Sequence, residues 1–137
     1  MERLINVKFL RTNTVHGARR PYTVYEIELS CKLTHSWIIS KRYGDFFNFH
    51  QSLQKEMNDH TELYGKNLKL PTLPPKRLTR SMATEFVEKR KLELYEYLSH
   101  IVDIPILVQC QLVISFLEIP EAFRHMFTRN LIDYSSE

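Results

Sequence analysis

The chain has 137 residues, 43% hydrophobic and 26% charged, with a formal net charge of +3. That length fits one domain able to bury about two-thirds of the surface its unfolded chain exposes, so neither a metal nor a disulfide is needed to hold it. No apolar run approaches the roughly twenty residues of a membrane span, Met1 to Asn6 lack the basic-then-apolar pattern of a secretory leader, and the small net charge argues against a nucleic-acid partner; a cytosolic globular domain is expected.

Ile5, Val7 and Phe9 alternate with Asn6 and Lys8, the period-two pattern of a half-buried strand. A second, longer strand follows from Thr23, Tyr25, Ile27, Leu29, Cys31 and Leu33, which alternate with a polar set including Glu26, Glu28 and Lys32. Trp37, Ile38 and Ile39 make a third run ending at Lys41 and Arg42. A three-stranded antiparallel meander accommodates all three.

Past Arg42 the period changes. From Asp45, read as an N-cap, Phe46, Phe49, His50, Leu53 and Met57 recur at helical spacing. His60 to Lys69 is polar and irregular, and Leu70 to Pro75 contains three prolines, whose fixed φ favours an extended loop crossing the surface. A second helix is expected from about Ser81 through Ala83, Phe86, Val87, Leu94, Tyr97, Leu98 and Ile101. A third is expected from Asp103 and Pro105, carrying Leu107, Cys110, Ile114 and Leu117. The fold class is therefore α+β: a three-stranded meander packed against three to four helices with a proline-rich crossing loop. The folded unit is expected over residues 1–120, closed by Pro120. Residues 121–137 retain Phe123, Met126, Phe127, Leu131 and Ile132, and either pack back or begin a linker.

Cys31 and Cys110 lack the paired spacing of a zinc or redox site and read as buried free thiols. The six histidines are scattered singly, and the three glycines are too dispersed for a phosphate-cradling loop. With no Gly-x-Ser-x-Gly, His-Glu-x-x-His or Gly-x-Gly-x-x-Gly motif, no catalytic residue, metal or cofactor is assigned.

The charge distribution says more than its sum. Between Lys76 and Lys91 there are six basic residues against two acidic ones. Arg90 falls on the inward stripe of Ala83, Phe86, Leu94, Tyr97 and Ile101, and a charge pointing inward must be paired or must line a cavity. A salt bridge to Glu26 or Glu28 and a ligand site explain it equally well on spacing alone. Tyr43 fits either a core aromatic or a wall for a ligand ring. Lys76 fits either a solvated charge or an anion contact. Pro71-x-x-Pro74-x-Lys76 also matches a ligand pattern for Src-homology-3 domains, although such prolines more often form a rigid wall within a folded domain.

Taken together, three strands, Arg42-Tyr43-x-x-Phe46 at the start of a helix, a proline-rich loop ending in Pro75-Lys76, and Arg90 before Leu92-x-x-Tyr95-x-x-Leu98 resemble the phox-homology (PX) domain, over roughly residues 3–120. The resemblance implies a phosphoinositide-binding, membrane-targeting module, reading phosphatidylinositol 3-phosphate on the cytosolic face of endosomal or vacuolar membranes. By the same resemblance Arg42 binds the 3-phosphate, Tyr43 packs on the inositol ring, Lys76 meets the 1-phosphate, and Arg90 binds hydroxyls on the far edge. Gly44 stands where that family usually has Ser or Thr, and Lys41 replaces a common second arginine.

Arg77, Leu78, Arg80 and Met82 have the character of a membrane-insertion loop. Leu78 and Met82 would each contribute up to about 1.5–3 kcal/mol if fully buried in acyl chains, and each arginine about 1 kcal/mol on an anionic leaflet. The alternative for Leu78 and Met82 is to cap the core beneath the loop. The alternative for the whole domain is a protein-interaction module working through Pro71 to Lys76 or the C-terminal tail.

Overall fold

The computed structural model describes residues 4–17, 20–31, 35–76 and 84–127. Strands β1 (Asn6–Val15), β2 (Tyr22–Cys31) and β3 (His35–Arg42) form one antiparallel sheet in the order β1-β2-β3. The alternation expected of the second strand sets which face is inside: Tyr25, Ile27, Leu29 and Cys31 are all buried. Strand β1 runs past Phe9 to Val15, further than its apolar alternation indicates. Its register passes from Phe9 opposite Ile27 to Arg11 opposite Glu26, so Leu10 is the extra residue of a bulge that bends and twists the strand.

Helix α1 (Tyr43–Asp59) follows β3 with no intervening loop and buries Phe46, Phe49, Leu53 and Met57. Its N-cap is Arg42, in extended conformation, and Asp45 is the third helical residue rather than the cap expected from sequence. The carboxylate of Asp45 reaches back to accept the Arg42 backbone N–H at 2.9 Å. Only this half of a capping box forms, because a guanidinium has no acceptor to offer in return. A short helix α2 (Thr61–Tyr64) occupies part of the segment expected to be irregular, and turns Tyr64 into the core. Residues 68–76 then run without helix or strand, with Leu68, Leu70 and Leu73 packed on the core.

Helix α3 (Thr84–Val102) buries Leu94, Tyr97, Leu98 and Ile101 together with Arg90. Where one further helix is expected, the chain forms two: α4 (Pro105–Val108), with Pro105 in its first turn, and α5 (Gln111–Phe116). At about 100° per residue a single straight helix would fan Leu107, Val108, Val113 and Phe116 around its circumference. The extended Cys110 between the two pieces lets all four be buried. Beyond Pro120, residues 121–127 are helical and Phe127 is buried.

Helices α1, α3 and α5 meet in an aromatic layer. Phe46 packs edge-on to Tyr97 and Phe116, and Phe49 stacks on Phe116 with centroids 4.2 Å apart. The indole N–H of Trp37 donates to the Leu117 carbonyl at 2.8 Å, and Lys41 pairs with Glu118 at 3.0 Å. The two contacts pin both halves of β3 to the residues just after α5, and the one at Lys41 lies beside the point where Arg42 and Tyr43 emerge. Cys31 and Cys110 are buried and form no disulfide.

Candidate functional site

Tyr43 and Arg90 come from different layers and meet. The guanidinium carbon of Arg90 lies 4.0 Å from the Tyr43 ring centroid and 4.9 Å from that of Phe86. Such cation–π contacts are worth about 0.5–2 kcal/mol, more when desolvated. Arg90 is only 7% exposed. Among the described residues no carboxylate pairs with it: its Nη2 donates to the Pro75 carbonyl at 2.6 Å, and its buried Nε–H has no hydrogen-bond acceptor. Glu26, one of the two partners considered from sequence, instead binds Arg11 at 3.2 Å and Asn13.

The proline-rich segment is tied to the same place. The Tyr43 hydroxyl donates to the Pro74 carbonyl at 2.5 Å, and Arg90 holds the next carbonyl, so two successive backbone acceptors are satisfied by two candidate site residues. Proline supplies no N–H to compete for them. This fastening sets the position of Lys76, whose ammonium lies 5.2 Å from the Phe47 ring. Phe47 is one helical turn beyond Tyr43, with ring centroids 6.4 Å apart.

Arg42 is exposed and lies on the sheet side of the junction, its guanidinium 4.7 Å from the Tyr22 ring. The register explains the contact: Arg42 is opposite Val24, and Tyr22 stands two residues before Val24 in β2 on the same face. A Cβ placed on Gly44 would lie 3.6 Å from the Arg42 Nε, an ordinary contact. The side chain of Arg42 therefore folds over the glycine at the start of α1.

Burial controls protonation around these groups. It raises the Tyr43 hydroxyl above its ordinary value against the opposing pull of Arg90, so the phenol keeps the proton it donates to Pro74. It pushes Tyr25 up to about 12, again against Arg90. It also lowers His50, whose Nδ1 lies 2.8 Å from the Tyr97 hydroxyl. A groove of about 420 Å3 runs between α1 and the proline-rich segment, and Tyr43, Phe47, His50 and Lys76 are among its walls.

The structure thus brings Tyr43, Arg90 and the Pro74–Lys76 segment into one cluster, with Arg42 adjoining through the backbone. Arg77, Leu78, Arg80 and Met82 lie outside the described residues. Sequence reading missed the two proline carbonyls and the rings of Tyr22 and Phe47, and placed Phe86 on the Arg90 stripe without giving it a part in the site. The i to i+4 spacings of Tyr43 with Phe47 and of Phe86 with Arg90 were the available signals. Among the described residues no group of three or more His, Cys, Asp or Glu side chains could hold a metal ion, and no helix is long and apolar enough to cross a membrane.

The model of the PX domain family matches residues 30–120. A rat (Rattus norvegicus) protein named PX domain-containing protein kinase-like protein is 34% identical over 95 residues, which span 69% of this chain and 14% of that protein. Sorting nexin-3 of Schizosaccharomyces pombe is 24% identical over 125 residues, spanning 88% of this chain and 82% of the relative. Among solved structures, the X-ray structure of a designed CISK-PX domain superposes with a TM-score of 0.65 at 28% identity, covering 81% of this chain and 96% of that one. The family match takes in β3, α1, the proline-rich segment and Arg90, the elements that build the cluster, and the chain belongs to the PX domain family.

Proposed function

We propose that this chain is a non-catalytic membrane-targeting module that reads phosphatidylinositol 3-phosphate on the cytosolic face of endosomal or vacuolar membranes. Family membership and the likeness to a sorting nexin support the trafficking setting. The observation that carries the reading is Arg90. A guanidinium buried without a carboxylate, with an Nε–H lacking an acceptor among the described residues, has donors ready for a polyhydroxylated, anionic ligand.

In this reading Arg42 takes the 3-phosphate, Tyr43 supports the inositol ring, Lys76 takes the 1-phosphate, and Arg90 takes ring hydroxyls. Charge-assisted hydrogen bonds are worth about 1.5–3 kcal/mol each before ordering costs, so the headgroup alone binds modestly. Arg77, Leu78, Arg80 and Met82 are proposed to add membrane contact. The Pro71 to Lys76 segment is a poor ligand for a Src-homology-3 domain, because Pro74 is buried and the carbonyls of Pro74 and Pro75 are already bonded.

The test is co-sedimentation with phosphatidylcholine vesicles containing or lacking phosphatidylinositol 3-phosphate at physiological salt. Binding should require the lipid and fall at least tenfold in a folded Arg42→Ala variant. Equal binding to both vesicles, or an unaffected Arg42→Ala, would rule the reading out.

A further inference from the structure

Arg42 is exposed and pairs with no carboxylate among the described residues. A long cationic side chain in that position has many rotamers open to it, and ordering it on a ligand lowers affinity. Its neighbours on the sheet counter that loss. Arg42 stands opposite Val24, so its diagonal neighbours on the same face of β2 are Tyr22 and Glu26.

Glu26 has the charge to capture a guanidinium, but its carboxylate is held by Arg11 at 3.2 Å and by the Asn13 amide. The Arg42 guanidinium lies instead over the Tyr22 ring, 4.7 Å from its centroid. The two neighbours differ in what they leave for a ligand. A carboxylate would occupy N–H donors and set a negative charge beside an incoming phosphate. An aromatic face attracts the cation without accepting an N–H bond from it.

The hairpin is long enough to bring the ring there. Pairing of β2 with β3 stops at Val24 opposite Arg42, whereas pairing of β1 with β2 continues through Thr14 opposite Thr23 to Val15 opposite Tyr22. Tyr22 therefore projects past the end of β3, beside the start of α1. The other two cations assigned to the headgroup rest on rings in the same way, Lys76 over Phe47 and Arg90 over Tyr43.

We propose that Tyr22 is a positioning residue of the phosphate site: its ring orders the Arg42 guanidinium in the free chain with its donors uncommitted, while Arg11 and Asn13 keep Glu26 engaged elsewhere. This rests on the reading of Arg42 as the phosphate contact. Tyr22 acts through Arg42, and a cation–π contact at an exposed site corresponds to about two- to fivefold in affinity.

The test is calorimetric titration of the full chain with water-soluble dibutanoyl phosphatidylinositol 3-phosphate, which leaves out any contribution from a bilayer. Tyr22→Leu should weaken binding about two- to fivefold, and Tyr22→Phe, which keeps the ring, should restore it. In an Arg42→Ala background Tyr22→Leu should have no further effect, because the ring then has no cation to hold. In the wild-type protein without ligand, nuclear Overhauser contacts should connect the Arg42 side chain to the Tyr22 ring, a result that needs no variant to fold. The proposal is overturned if those contacts are missing, or if Tyr22→Leu binds as wild type does while Arg42→Ala has lost binding. It is equally overturned if Tyr22→Phe is as weak as Tyr22→Leu, or if Tyr22→Leu still weakens binding in the Arg42→Ala background. A wild type that does not bind, or an Arg42→Ala that binds as wild type does, is a different result: it removes Arg42 as the phosphate contact, and this proposal with it.

Discussion

The guanidinium of Arg90 rests on the ring of Tyr43 at 4.0 Å, while the two side chains hold the adjacent carbonyls of Pro75 and Pro74. One contact thus joins α1, α3 and the proline-rich segment. It also separates two roles for Arg90: fastening the fold and presenting donors to a ligand.

The two roles have different energetics. Burying an unpaired guanidinium is costly, and an apolar residue of similar length often replaces a buried charge at little cost. Arg90→Met keeps the apolar stem, loses one bond to Pro75 and relieves the buried charge. Its unfolding free energy should lie within about 1 kcal/mol of wild type, while binding to phosphatidylinositol 3-phosphate vesicles falls more than tenfold. A collapse of stability in urea titration would assign Arg90 to the fold instead.

Tyr43→Phe removes only the hydroxyl that holds the Pro74 carbonyl. It should cost about 0.5–1.5 kcal/mol in denaturant unfolding. Lipid affinity should also drop severalfold, because Lys76 loses its fixed position. An unchanged affinity would show that the fastening does not set the lysine.

Phe127 is 2% exposed and packs in the core beyond the end of the family match at residue 120. Phe123 lies 4.3 Å, centroid to centroid, from the His35 ring in β3. We infer that the folded unit extends through Phe127, and Phe127→Ala should then destabilise it by about 3–5 kcal/mol. A change below about 1 kcal/mol would return the boundary to Pro120.

His50 gives the domain an acid-sensitive contribution. Burial holds the folded ring below its ordinary 6.5, so between the two values the unfolded chain binds more protons than the folded one. Stability from this group is fully present above pH 6.5 and declines as pH falls toward the folded-state value. Urea midpoints should drop on acidification through that window, and His50→Gln should flatten the slope. Superimposable slopes would refute this assignment.

The sheet was legible because strands buried on one face alternate, and Tyr25, Ile27 and Leu29 obey that rule. Arg90 was legible because a charge on an inward stripe demands an explanation. Its partner was not, since a backbone carbonyl such as that of Pro75 carries no side-chain signature. Asp45 was misplaced within its turn because a carboxylate serves the helix start either as cap or from the third residue, and composition does not separate the two. The break between α4 and α5 was hidden because Leu107, Cys110, Ile114 and Leu117 keep helical spacing across it. The tail was left open because Phe123 and Phe127 find their contacts far away in sequence.

The most direct measurement is the Nε–H resonance of Arg90, identified by its absence in Arg90→Met, during titration of nitrogen-15 arginine-labelled protein with water-soluble dibutanoyl phosphatidylinositol 3-phosphate. A donor without an acceptor among the described residues should gain one from the ligand, so the signal should move in step with saturation. Saturable binding that leaves this resonance in place would contradict the assignment of Arg90 as the reader of the headgroup.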